Sequence, residues 1–157
     1  MRRILFVCTG NVFRSVVADA LFRKYCTEQD IKDVESGSAG TVAMPERVDP
    51  ATIRKLEDYG VTIDKHAQKR VSRDLLQRFD IIISMAKRHQ KVLKDTYQTE
   101  SHLFNGVAYG EDTSIKDVDE VLEDPGEDYE GRRKHIEETI DHIWKAMPSF
   151  VENVLKL

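Results

Sequence analysis

The sequence predicts an α/β fold: a three-layer sandwich whose four-stranded parallel sheet is covered by helices on both faces. Apolar, β-branched runs alternate along the chain with stretches of helical spacing, the pattern of strands joined by crossover helices. The 157 residues suffice for one hydrophobic core, and no repeat, low-complexity tract or long linker divides residues 1–157 into more than one domain. The first apolar run ends in a glycine-containing loop that leads directly into a helical pattern, as at the carboxyl edge of an open parallel sheet.

Arg3 to Val7 supplies the first strand, and after the loop Val17, Ala20 and Leu21 share one helical face. Val34 to Ser38 makes the second strand. Asp49-Pro50 then opens a helix through Asp58, with proline suited to its first turn and Gly60 to its end. Helices are expected at Ser72 to Gln77 and Arg88 to Lys94, on either side of a third strand at Phe79 to Ser84. His102 to Phe104 forms the fourth strand, and Gly106 to Asp128, rich in acids and glycine, reads as loop. The last helix begins near Glu130 and carries Ile136, Ile140, Ile143, Met147, Val151 and Val154 at three- and four-residue steps. Pro148 is expected to kink or split it.

The loop after the first strand, Cys8-Thr9-Gly10-Asn11-Val12-Phe13-Arg14-Ser15, carries the chemistry. Backbone N–H groups curled around a tetrahedral oxyanion, with Gly10 supplying conformational freedom, make a cradle with a nucleophilic sulfur at its base. The helix that follows adds the positive end of its dipole, which favours bound phosphate. Arg14 can grip two phosphate oxygens with its planar fork. The alternative is a buried structural cysteine at the end of a core strand.

A thiolate attacking a phosphate ester needs a proton donor on the opposite side of phosphorus, hence from another part of the chain. Asp124, before Pro125 in the acidic loop, is the candidate, although Asp49-Pro50 shows that Asp-Pro is also an ordinary turn. No metal site is expected. His135 and His142 lie seven apart on one helix without a third ligand and read as surface residues. Cys26 reads as a buried helix residue rather than a redox partner of Cys8. The cluster Lys87-Arg88-His89-Gln90-Lys91 reads as a solvated helix face, with docking of an acidic partner as the alternative.

Lys plus Arg number 24 against 28 Asp plus Glu, a net charge of −4, which argues against a nucleic-acid partner. The apolar runs are too short to cross a bilayer, and Met1-Arg2-Arg3 leads into a strand rather than a signal peptide. A cytoplasmic location and no membrane partner are the expectations.

The run Val7 to Ser15 resembles the signature of the low-molecular-weight protein tyrosine phosphatases, and the likeness extends across the chain. Ser38-Ala39-Gly40-Thr41 resembles the family's second-strand motif, Phe79-Asp80-Ile81-Ile82-Ile83-Ser84-Met85 its third strand, and Leu122-Glu123-Asp124-Pro125 its late general-acid loop. The resemblance implies Cys8 as nucleophile, Arg14 as phosphate clamp and Asp124 as general acid and base. Thr9 to Ser15 would bind phosphate, Ser15 would hydrogen-bond the thiolate, and Asn11, Ser38 and His66 would hold the loop. Without the resemblance, His66 reads as a histidine on a polar surface turn. The implied reaction is hydrolysis of a phosphorylated protein or peptide through a phosphocysteine, with inorganic phosphate or another oxyanion as product or inhibitor and without metal or organic cofactor.

Several residues depart from the family pattern. Phe13 stands where many members carry a second, protective cysteine, and Val16 replaces a usual proline. Gly126-Glu127 and the segment Val42 to Arg47 lack the aromatics that flank a phosphotyrosine ring, for which Tyr129 is the candidate substitute. Val12 is aliphatic as in tyrosine-directed members, whereas the related arginine phosphatases carry threonine there; arginine phosphatase is the alternative on this fold. Arsenate reduction would need two further cysteines near the third strand, and none is there. A phosphocysteine carrier or a phosphate-binding domain without turnover is disfavoured by the joint presence of Cys8, Arg14 and Asp124. A nucleotide-binding site is disfavoured because the loop has neither Gly-x-Gly-x-x-Gly nor Gly-Lys-Ser/Thr.

Overall fold

The computed structural model describes all residues from Met1 to Leu157. In chain order the elements are β1 (Arg2–Cys8), α1 (Arg14–Glu28), β2 (Val34–Gly40), α2 (Pro50–Asp58), α3 (Arg73–Gln77), β3 (Ile81–Ser84), α4 (Lys87–Tyr97), β4 (His102–Leu103), α5 (Phe104–Tyr109), α6 (Val118–Val121) and α7 (Tyr129–Val154). The four strands form one parallel sheet in the order β2-β1-β3-β4, as the alternation of elements predicts.

Alternating side chains of the strands divide the core between the two faces of the sheet. Ile4, Phe6 and Cys8 point into the larger cluster, built with Val17, Leu21 and Phe22 of α1, Leu56 of α2, Phe104 of α5 and the apolar stripe of α7. Leu5, Val7 and Ile82 point the other way, against Leu76 of α3 and Leu93 of α4. Phe150 lies at the centre of the larger cluster. Its ring centroid is 4.5 Å from Phe104, 5.7 Å from Phe6 and 6.3 Å from Phe22.

The helix start at Asp49-Pro50 and the burial of Cys26 are as expected, and Ser72 adds a cap. Asp49 caps α2 by accepting from the Ala51 N–H, with Pro50 in the first turn, and Ser72 caps α3 through Leu75. Cys26 is 4 % exposed inside α1, and burial pushes its thiol up to about 11.

Several expectations need correction. α7 runs unbroken through Pro148 rather than splitting, because Pro148 is exposed while Met147, Phe150, Val151 and Val154 keep the last turns in the core. Proline on the exposed side of a long helix is tolerated because curvature convex toward that side costs least. Residues 106–128 are not all loop. Burial of Phe104, Asn105 and Ala108 extends α5 to Tyr109, and a capping box between Asp117 and Glu120 nucleates α6. For the same reason Phe104 opens a helix instead of ending β4. His135 and His142 are half-buried and bonded, to the Lys116 carbonyl and the Asn105 side chain at 2.8 Å each, rather than free on the surface. No helix is long and apolar enough to cross a membrane.

Candidate active site

Register places the reactive loop. Cys8 ends β1 opposite Gly40 at the end of β2, and Val7 pairs with Ser84 at the end of β3, so the loop leaves from the carboxyl edge of the sheet between two neighbours. Arg14 is the first residue of α1, whose positive end therefore adjoins the loop. Above the loop opens a cleft of about 510 Å³.

The Cys8 sulfur lies 3.0 Å from the Ser15 hydroxyl, which also accepts from Asn11 Nδ2 at 2.9 Å. With that oxygen accepting from Asn11, the serine proton is free to point at sulfur. Asn11 is fully buried and sits at φ 56°, a left-handed conformation that Asn tolerates better than most residues. Its Oδ1 accepts from the Lys69 N–H at 2.9 Å, and its carbonyl meets His66 Nε2 at 2.8 Å. Asn11, Ser15 and His66 are thus brought together around the loop. Ser38 is not: its side chain is buried in β2 without a hydrogen bond to the loop.

Gln68 takes the loop-bracing place expected of Ser38, donating to the Gly10 carbonyl at 2.7 Å and the Met44 carbonyl at 2.9 Å. His89, in the first turn of α4, is a second support that the sequence reading missed. It is 1 % exposed, so the basic cluster around it is not wholly a solvated face. Its Nδ1 accepts from the Ala86 N–H at 3.1 Å, which leaves Nε2–H to donate to Thr9 Oγ1 at 2.9 Å. Burial, then the neighbouring Arg14 and Arg88 charges, push the imidazole down to about 3, so His89 is a neutral donor at physiological pH. Its position after a central strand of a parallel sheet, where ligand sites gather, was the available signal. Gln68 lies in irregular chain and carried none.

Arg14 is the largest fully buried side chain. Nη1 donates to the Ile115 carbonyl at 2.9 Å, Nη2 faces Thr9 Oγ1 at 3.5 Å and Asp117 Oδ2 at 3.4 Å, and Glu120 Oε1 lies 3.6 Å from Nη1. The buried guanidinium is thus held between a carbonyl, a loop hydroxyl and two partly exposed carboxylates.

The cleft is lined by Cys8, Thr9, Gly10, Val12, Phe13 and Arg14 of the loop. Val42, Met44, Glu46 and Arg47 add to the lining from the segment after β2, and Asp117, Val118, Asp119, Pro125 and Gly126 from the acidic segment. The lining also includes an ion pair of Arg132 with Asp49 and Thr52, whose buried hydroxyl has no hydrogen-bond partner. Phe13 is the sole aromatic in the lining and is 8 % exposed, its edge against His135. Tyr129 is not in the cleft lining: it is 71 % exposed at the start of α7 and borders an adjoining hollow that shares Asp49 and Arg132 with the cleft. Asp124 is exposed on the turn before α7, and its neighbours Pro125 and Gly126, not Asp124 itself, face the cleft.

Known proteins share this chain's sequence and fold. A low molecular weight protein-tyrosine-phosphatase of Streptomyces coelicolor is 30 % identical over 148 residues, covering 92 % of this chain and 88 % of the relative. A protein-arginine-phosphatase of Bacillus subtilis is 30 % identical over 95 residues, covering 60 % of this chain and 62 % of the relative. The crystal structure of a YwlE mutant from Bacillus subtilis superposes with a TM-score of 0.83 at 21 % identity over the full length of both chains, a likeness of fold. Residues 3–157 match the family described as low molecular weight phosphotyrosine protein phosphatase, so the chain belongs to that family.

Proposed function

We propose that this protein hydrolyses phosphorylated protein side chains, phosphotyrosine first among them, through a phosphocysteine intermediate. The observation that supports the proposal is the Cys8 sulfur 3.0 Å from the Ser15 hydroxyl in a loop that lines one cleft together with the buried Arg14. Cys8 attacks phosphorus in line, and loop amides and Arg14 stabilise the equatorial charge. A carboxyl of the acidic segment protonates the leaving oxygen; the family resemblance nominates Asp124 for this step. The resulting carboxylate activates water to release phosphate, and Ser15 O–H supports the departing thiolate. Such chemistry works in a reducing compartment, in keeping with a cytoplasmic location.

Aliphatic Val12 favours phosphotyrosine. A second reading, protein arginine phosphatase, is favoured by the cleft walls, where Glu46, Asp117 and Asp119 replace stacking aromatics and suit a cationic guanidinium. The test compares kcat/KM for matched phosphotyrosine and phosphoarginine peptides in wild type and Cys8→Ser. Loss of all turnover in the serine variant is expected, with preference for the phosphotyrosine peptide. Undiminished turnover would overturn the nucleophile; preference for phosphoarginine would select the second reading.

A further inference from the structure

We propose that the Thr9 hydroxyl is a further hydrogen-bond donor to the phosphoryl group, and that His89, 80 positions away, is the positioning residue that commits it to that role; the inference rests on the phosphatase reading above. A threonine hydroxyl carries one proton and two lone pairs. Thr9 Oγ1 has two hydrogen-bond neighbours, His89 Nε2 at 2.9 Å and Arg14 Nη2 at 3.5 Å. The guanidinium nitrogen only donates. His89 Nε2 donates as well, because the Ala86 N–H at 3.1 Å claims the Nδ1 lone pair and leaves the ring proton on Nε2. With both neighbours donating, the Thr9 proton has no acceptor in the protein. Thr9 lines the cleft, and the oxygens of an ionised phosphoryl group are strong acceptors.

The turn between β3 and α4 is built to hold this contact. His89 is 1 % exposed in the first turn of α4, and that turn is tied to the reactive strand by the Met85 N–H, which donates to the Val7 carbonyl at 3.0 Å. The Met85 carbonyl accepts from the Ile115 N–H at 2.9 Å, and the Ile115 carbonyl accepts from Arg14 Nη1 at 2.9 Å. One turn therefore braces Arg14 through Ile115 and Thr9 through His89. The Thr9 carbonyl is already taken, by the N–H groups of Val42 and Ala43 at 3.0 and 3.1 Å. Its hydroxyl proton is the polar group of Thr9's side chain left to the cleft.

As phosphorus passes to sulfur, charge is spread over its three equatorial oxygens, and a donor already aimed at them stabilises that charge without reorganising. Arg14 Nη2 at 3.5 Å is too distant to fix the hydroxyl rotor by itself. The shorter bond from His89 does so by filling a lone pair that faces away from substrate. Thr9 keeps its proton throughout, so no bond is made or broken beyond those of the hydrolysis proposed above.

The test measures kcat/KM on phenyl phosphate, calorimetric affinity for inorganic phosphate and a thermal melt. The variants are Thr9→Val, Thr9→Ser, His89→Asn, His89→Gln and the double variant Thr9→Val with His89→Asn. An asparagine amide oxygen reaches the place of Nδ1 and keeps the Ala86 bond but ends short of Thr9, whereas the longer glutamine amide sets an N–H in the place of Nε2. Thr9→Val should lose about 10- to 10²-fold in kcat/KM and about 10-fold in phosphate affinity, the scale of one hydrogen bond to a charged group. Thr9→Ser should recover most of both. His89→Asn should lose as Thr9→Val does, His89→Gln should recover most of that loss, and the double variant should fall no further than Thr9→Val alone. A loss of either quantity that Thr9→Ser restores sustains the Thr9 contact, and wild-type values of both in Thr9→Val overturn it. Equal losses in His89→Asn and His89→Gln, or losses that multiply in the double variant, overturn the part assigned to His89, which would then serve only the fold. Should His89→Asn not melt cooperatively, the comparison of His89→Gln with Thr9→Val decides: a loss in His89→Gln as large as in Thr9→Val overturns the same part. Wild-type protein that binds phosphate without hydrolysing phenyl phosphate would strike the phosphatase reading instead, and the phosphate affinities of the same variants would then decide the Thr9 contact.

Discussion

Gly40→Ala is the perturbation that most directly tests whether the reactive loop is shaped by the strand beside it. Gly40 ends β2 opposite Cys8, and a Cβ built there falls 2.5 Å from the Thr9 carbonyl oxygen and 3.0 Å from the Asn11 nitrogen and the Gly10 carbonyl carbon. Thr9 O cannot retreat freely, since the Val42 and Ala43 N–H groups hold it at 3.0 and 3.1 Å. Non-bonded heavy atoms settle near ~3.5 Å, so the loop backbone must move by about 0.5–1 Å. A misplacement of about 1 Å is worth roughly 10²-fold in rate. The assay is kcat/KM on an aryl phosphate together with inhibition by inorganic phosphate and a thermal melt. We expect a loss of about 10²-fold in kcat/KM, weaker phosphate inhibition and a cooperative melt, because the overlap is confined to the loop. Wild-type kcat/KM in the alanine variant would refute the argument that this close approach sets the geometry of the cradle.

Phe150→Ala should lower stability by about 3–5 kcal/mol in urea unfolding, because its fully buried ring touches three other phenylalanines; a loss below about 1 kcal/mol would contradict that packing. Burial and the Arg14 and Arg88 charges hold His89 near 3 when folded, against an ordinary value of 6.5, so the unfolded chain binds its proton first on acidification. The stability from this group is present above pH 6.5 and is lost as pH falls toward about 3, with a slope approaching ~1.4 kcal/mol per pH unit. His89→Gln should therefore flatten the acid side of the stability profile, and an unchanged acid slope would reject this account. Phe13 offers Cys8 no partner thiol, and the Cys26 thiol, pushed up to about 11 by burial, stays protonated and unreactive. Peroxide should drive Cys8 to the sulfinic acid without recovery; full reactivation by dithiothreitol would contradict this.

The sequence itself determined the parallel sheet, the placement of Cys8 and Arg14, and the opening of α2 at Asp49-Pro50. These are statements about residues close in the chain: alternation of strand and helix, a strand end, a side chain meeting its own next turn. Asn11 and Ser15 also belong to that class, four residues apart in one loop. His66 was legible through resemblance alone. The tertiary structure decided that Gln68 and His89 brace the loop while Ser38 does not, that Tyr129 leaves the cleft wall bare, and that Asp117 reaches Arg14 while Asp124 stays at the rim. Those contacts join residues 58, 80 and 103 positions apart, for Gln68 with Gly10, His89 with Thr9, and Asp117 with Arg14. Periodicity and capping report only a side chain's immediate neighbours. Which distant side chain fills a place beside the loop depends on how the sheet edges and α7 pack together.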